Sequence, residues 1–385
     1  MTQDSKRVAV VEDRISVLPS NVIDHILELL MVHDAARTSI LSKNWRYIWA
    51  KLPNLVLDKQ FCMKLAKKSH NVFKETIDMI LLQHIGDIVK FHLDVSGLHL
   101  STYADIDRWM LYVTRNGVKK LKLKMTEDEN YEQTSYIFNC PTLTHLKLFN
   151  CFFKLPDSFL GFQTLTVLQF ESIIFVPEIE FCTINVPLLV KLTIELCYGT
   201  EYLNIVFSSE LKSLVIVDSC YIETALRTLA YPRDTLFGCN PKGASCTLNC
   251  LWRLFICVNF NEIGQTSYTL ELIKSSPNLS KLEIWDYATG DTAEEVMKYL
   301  DTPACLDKTL NQLEDVSIYS FNYSNVVLSF VKLLFAHAPS LSRMIIHPDK
   351  ASSSEEELNV AKELMRFTRA SPKAELIYRQ NYELD

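Results

Sequence analysis

The chain has 385 residues, 48% of them apolar and 22% charged, enough to bury a large core and to fill two or three domains of ~150 residues each. A net charge of −7 disfavours a general nucleic-acid binder. Only 9 glycines, against a usual ~7% of residues, argue against Gly-rich loops that cradle phosphate.

The N-terminus has a four-residue apolar run, Val8 to Val11, too short for a signal core. No apolar stretch approaches the ~18 residues of a membrane span. The 11 cysteines are scattered, without the compact spacing of a secreted disulfide scaffold. These features predict a soluble protein of a reducing compartment, nucleus and/or cytoplasm, with no membrane and no nucleic-acid partner.

Residues 13 to 50 read as three short helices. Pro19 opens the first, where a proline costs no intrahelical bond. Val22, Ile23, Ile26, Leu27 and Leu30 follow at the spacing of an amphipathic stripe. Asp34 is the expected N-cap of the second helix. Leu41, Trp45, Ile48 and Trp49 mark the third. So small a bundle cannot close a core by itself, which leaves apolar side chains for a partner to cover. The run from Asp13 to Pro19, together with Asp34-Ala35-Ala36-Arg37-Thr38-Ser39-Ile40-Leu41-Ser42-Lys43-Asn44-Trp45-Arg46-Tyr47-Ile48-Trp49, resembles the plant F-box. Asn44 departs from the pattern, where a second basic or bulky residue is common. The resemblance implies docking onto the small adaptor of an SCF-type cullin–RING ubiquitin ligase, and through it onto cullin. It implies that Leu18, Pro19, Ile23, Ile26 and Leu27, with Val22 and Leu30 on the same stripe, enter the adaptor. Ile40, Leu41, Trp45 and Trp49 are expected to hold the helices together.

The rest of the chain repeats. An L-x-x-L-x-L pattern recurs from Ile88/Phe91/Leu93 and Val118/Leu121/Leu123 through Leu143, Leu165, Leu189, Leu211, Leu251, Leu279 and Leu313 to Leu341/Met344/Ile346. From Leu143 the intervals are 22, 24, 22, 40, 28, 34 and 28 residues. Most fall near the ~20–29 of a leucine-rich repeat, and the longest predicts an insertion or a hidden unit. Cys151, Cys197 and Asn259 stand three residues past the last apolar strand position, where such repeats favour Asn or Cys. Their expected role is structural, bonding loop backbone.

Near the C-terminus, Ser352 to Glu357 carries a capping-box signature. Leu358, Ala361, Leu364 and Met365 follow at helical spacing, Ser371-Pro372 ends that helix, and 374–378 alternates like a strand. With Leu313 to Val316 and Ala338 to Leu341, this region resembles the end of plant F-box/FBD/LRR-repeat proteins. The resulting expectation is an α/β chain. It has a three-helix F-box at 11–50, a helical linker at 51–85, a leucine-rich-repeat solenoid at 86–300 and an FBD-like C-terminal cap at 301–385.

No motif supplies a nucleophile–base pair, so an enzyme is not expected. Gly238 and Gly243 have P-loop spacing, but Ala244 stands where the lysine is needed. Cys239, Cys246, Cys250 and Cys257 lack the tight C-x2–4-C pairs of zinc sites. No metal or cofactor is therefore expected. In x-L-x-L-x the x side chains point away from the core. They place Lys120, Lys122 and Lys147 in a basic patch and Phe255, Trp285 and Tyr319 in an aromatic row, the residue types enriched at hot spots. Both are candidate target-binding sites, weighed against a solvated sheet or aromatics covered by the chain's own loops. Glu127, Asp128, Glu129 and Glu132 are placed to fold back on the lysines. The resemblance implies a substrate receptor for a target that the sequence does not identify. A scaffold or ligand sensor that binds the adaptor without directing degradation stays open.

Overall fold

The computed structural model describes residues 18–379, apart from 31, 42–44, 46, 101, 128–130, 133–134, 208–209, 218–246, 289–293, 303–304, 307, 322–323 and 349–353. At 24, 28, 135, 177–181, 200–202, 204 and 354–357 only the backbone is described. The chain divides into two compact units, Met1–Glu127 and Asp128–Asp385.

The first unit begins with α1 (Ser20–Glu28) and α2 (Val32–Arg37). Asp34 lies inside the first turn of α2 and pairs with Arg37 at 3.2 Å; it is not the N-cap. The 3-10 turn Thr38–Ile40 continues α2, and the 3-10 turn Trp49–Lys51 lies at the end of the expected third helix, of which 42–44 and 46 lie outside the described residues. Next come β1 (Asn54–Leu57), α3 (Lys59–Ala66), α4 (His70–Gln83), β2 (Lys90–Asp94), α5 (Ala104–Arg115) and β3 (Lys120–Lys124). Asp58 caps α3 by accepting the Phe61 N–H at 2.8 Å, and Ser69 caps α4 through Asn71. Strands β1, β2 and β3 pair in parallel. The stretch expected as a helical linker therefore opens with a strand. Leu52, Leu55 and Leu57, all buried, form an unread copy of the apolar triplet. Trp109, buried on α5, donates its Nε1–H to Asp78 on α4 at 2.7 Å and meets Phe73 edge-on. A buried indole needs such an acceptor.

The second unit carries β4 (His145–Phe153), β5 (Val167–Asn185), β6 (Lys191–Glu195), β7 (Tyr198–Val206), β8 (Ser213–Val217) and β9 (Arg253–Val258). Helices then alternate with strands: α6 (Ile263–Lys274), β10 (Lys281–Asp286), α7 (Glu294–Leu300), β11 (Asp315–Phe321), α8 (Asn325–His337), β12 (Arg343–Pro348), α9 (Ser354–Arg366) and β13 (Glu375–Tyr378). Pairing is parallel throughout in the order β4-β5-β6-β8-β9-β10-β11-β12-β13, with β7 on the far half of β5. Repeats of 22 or 24 residues leave no room for a crossover helix. Those of 28 and 34 residues each hold one.

All ten triplets read from the sequence are buried, at 3% exposure or less. Across the 40-residue interval no strand stands between β8 and β9 in the sheet, because Ser213 pairs directly with Arg253; residues 218–246 lie outside the described residues. The region from 301 onward keeps the same strand–helix alternation. On α9 only Leu364 of the expected apolar set is buried, and Leu358 and Met365 are exposed. Ser352 and Ser353 lie outside the described residues.

Candidate functional site

Helix α1 has one broad apolar face, buried along one edge and exposed along the other. Ile23 and Leu27 are buried, so they serve the interior of the first unit and are not free for a partner, contrary to expectation. Val22, Ile26, Leu29 and Leu30 lie on the adjoining flank and are exposed, with Pro19 exposed and Leu18 half-buried at the start of the helix. The carbonyl of Pro19 accepts the N–H groups of Val22 and Ile23, which fixes the entry of the helix. Trp45 and Trp49 are buried as expected. Ile40 and Leu41, expected inside, are 88% and 55% exposed. One helical stripe is about 100° wide. The set Val22, Ile23, Ile26, Leu27 and Leu30 is wider, and that surplus is the sequence signal for the exposed edge. His33 stacks on Phe61 at 5.2 Å, tying α2 to α3.

In the second unit the outward positions of successive strands form three rows. In the third row the rings of Trp285 and Tyr319 stack at 5.9 Å and those of Tyr319 and His347 at 4.5 Å. Phe255, tilted against Tyr319 at 5.7 Å, is only 7% exposed. It stands in the middle row, flanked on both strands, so it supports the stack from beneath and does not share its surface. Trp285 and Tyr319 keep part of their rings exposed. His347 was not among the sequence candidates, although the x-L-x-L-x readout of β12 places it in register with them. Burial, then the charge of Arg379, holds its imidazole below the ordinary pKa. Burial, then Glu283, pushes the Tyr319 phenol up. Beside the stack, buried Glu283 pairs with Arg253 at 2.8 Å and Lys281 at 3.0 Å, and Arg343 grips Asp315 through two hydrogen bonds.

The sequence-predicted lysines divide between units: Lys120 and Lys122 on β3, Lys147 on β4. Lys122 stands opposite His92, whose pKa falls to about 4 through burial and then the Lys122 charge. Of the acidic loop, Glu132 pairs with Lys154 at 3.5 Å; Asp128 and Glu129 lie outside the described residues.

Cys151 and Cys197 are buried and donate to the carbonyls of Phe149 and Glu195, each at 3.2 Å, the structural role expected of them. Burial raises both thiol pKa values, that of Cys197 to about 12. The side chain of Asn259 accepts the Asn261 N–H at 3.0 Å. Cys239, Cys246, Gly238 and Gly243 lie outside the described residues. Among the described residues no three His, Cys, Asp or Glu gather as a metal site, and no helix is long and apolar enough to cross a membrane.

Residues 15–57 match the F-box domain. Along nearly its whole length the chain is similar to an F-box/FBD/LRR-repeat protein of Arabidopsis thaliana, 28% identical over 96% of this chain and 99% of the relative. An Arabidopsis F-box/LRR-repeat protein is 40% identical over 35% of this chain and 26% of its own length. An FBD-associated F-box protein from the same plant is 30% identical over 43% of this chain and 39% of its own.

Proposed function

We propose that this F-box protein is the target-binding subunit of an SCF-type cullin–RING ubiquitin ligase. The observation that carries the reading is the coincidence of the F-box match at 15–57 with an uncovered apolar surface on the same residues. Val22, Ile26, Leu29 and Leu30, with Leu18 and Pro19 at the helix entry, are the anchors offered to the adaptor. An amphipathic helix seated in an apolar groove uses i, i+3 and i+4 positions of this kind. The parallel strands with their repeated apolar triplets form a leucine-rich-repeat solenoid ending in an FBD region. The open face of the second unit, with Trp285 and Tyr319 raised on Phe255, receives the target; Lys147 on the second unit and Lys120 and Lys122 on the first are further candidate contacts. The chain contributes no catalysis. Holding the adaptor and the target in one chain raises the effective concentration of the target at the ubiquitin donor.

Capture of the adaptor by the full chain tests this. Leu18→Ala with Pro19→Ala should cut co-purification by a factor of over a hundred, equivalent to ~3 kcal/mol, while circular dichroism stays unchanged. Unaltered capture would remove the adaptor from the account.

A further inference from the structure

Helix α4 carries an apolar patch that lies beyond the F-box match at 15–57. Its inward face is Phe73, Ile77, Ile80 and Leu81, all buried. Met79, Leu82 and, just past its end, Ile85 are instead 51%, 74% and 53% exposed. Among the described residues from 48 to 127 no other large apolar side chain is exposed. A single exposed leucine is ordinary. Three apolar side chains together at one end of one helix mark an interaction surface.

Two observations turn this patch toward the F-box. On the flank of α4 that faces α5, Lys74 pairs with Asp105 at 2.9 Å and Asp78 with Arg108 at 2.7 Å. Successive helix residues step round by about 100°, which carries Met79 off that flank and sets Leu82 opposite the buried face. The end of the helix is fastened to the F-box. The Ile85 N–H donates to the Ala50 carbonyl at 2.7 Å, and His84 Nε2 donates to the Leu52 carbonyl at 2.9 Å. The Ala50 N–H in turn donates at 3.2 Å to the carbonyl of Tyr47, whose ring is exposed. Tyr47, Ile85, Leu82 and Met79 therefore form one apolar path out of the F-box and along α4.

We propose that the adaptor seated on the F-box extends its footprint onto α4 and covers Met79, Leu82 and Ile85. This inference rests on the adaptor reading given above. The continuity of the path singles out that partner, because a protein that covers Tyr47 abuts Ile85 across one hydrogen-bonded residue. Side chains spaced i, i+3 on a helix are the anchors an apolar groove takes. A second anchor outside the F-box sets the angle at which the first strands leave the adaptor.

The test is hydroxyl-radical footprinting of the full chain, free and in its isolated complex with the adaptor, read at methionine side chains. Oxidation of Met79 should fall at least fivefold in the complex. Met365, exposed on α9 in the second unit, is the internal reference and should not change. Equal oxidation of Met79 in both states overturns the inference and leaves docking by the F-box intact. Absence of any complex removes the docking itself, and the inference with it. Leu82→Glu should weaken adaptor binding tenfold or more, because a carboxylate is costly to seat in an apolar contact. Its melting temperature should stay unchanged, since the side chain is exposed. Leu82→Met should bind as the native chain does. An affinity that Leu82→Glu leaves unchanged overturns the inference as well. So does protection of Met79 that grows with the concentration of the free chain, which makes a second copy the occupant.

Discussion

Strands β4, β5, β6 and β8 and strands β9 to β12 carry the same apolar triplets over different backing. Behind the later strands, crossover helices supply the second layer, as α8 does with Val327, Phe330, Val331, Leu334 and Phe335. The earlier crossovers are too short for a helix, and rings fill the space instead. Phe153 packs against Phe170 at 4.8 Å and Phe175 at 5.7 Å, while Phe138, Phe159 and Phe162 form a second group joined to it. The halves also leave their strands differently. Asn150, Ser172 and Leu196 take left-handed backbone with φ of 56°, 53° and 51°, which turns Cys151, Ile173 and Cys197 inward. In the helix-backed half, Asn259 and Asp286 instead accept the N–H two residues on, each at 3.0 Å. Strand β11, with Ser320 at φ 54°, borrows the first device. One repeat thus tolerates two kinds of backing, because the sheet requires only that its apolar face be covered.

The sharpest test of ring backing is Phe153→Ala, expected to cost ~3–5 kcal/mol because Phe153 is fully buried among rings with no helix to settle into the gap. Denaturant unfolding measures it; a loss below about 1 kcal/mol would mean that the rings are not the core of this half. The turn chemistry of the other half is probed by pH. Burial raises Asp286 from 3.8 to about 6, against the hydrogen bonds from Ala288 and Phe260. In that window the folded state holds the proton that the unfolded state has lost. Stability therefore falls as pH rises from about 4 to about 6, by roughly 2–3 kcal/mol. Asp286→Asn should flatten that slope in melts taken across the range, and an unchanged slope would assign it elsewhere.

Gly161 precedes the ring-backed strand β5 with φ 103°, and a Cβ there would stand 2.3 Å from the Asn185 carbonyl. Gly161→Ala should cost about 1–3 kcal/mol from backbone strain, whereas Gly86, with open space around its Cβ position, lacks the clash. The aromatic row in the helix-backed half is expected to be milder. Trp285→Ala should lose about 0.5–1.5 kcal/mol of stacking, and Phe255→Ala several times more because its ring is buried. Equal losses on melting would make Trp285 core and take it off the binding face. Smallest is Leu196→Asn. A left-handed leucine costs roughly 1–2 kcal/mol that asparagine partly avoids, so melting should rise by a few degrees; a fall would mean that the half-exposed leucine packs more than it strains.

Much of this molecule was legible from residue order. Strand side chains alternate between faces, so each L-x-L announced its inward pair wherever it fell. The position of Cys151 and Cys197 three residues on followed from the same register. The first triplet, Leu52/Leu55/Leu57, was missed because the F-box pattern runs into it and its neighbourhood reads as helix. Long β5 and its partner β7 were missed as well, since alternation there continues past the usual strand length.

What residue order could not decide was exposure among the outward positions. That depends on the side chains on the two flanking strands, which lie 22 to 40 residues away in sequence. Phe255 and Trp285 share the same x-L-x-L-x pattern, yet the first is wedged in the middle row and the second rides its edge. On α1 the sequence placed Ile23 and Ile26 on one stripe, and packing against the rest of the first unit buried the first and left the second exposed. Covalent order sets which face a residue takes in its own element, and burial is set by neighbours that only the tertiary fold brings alongside.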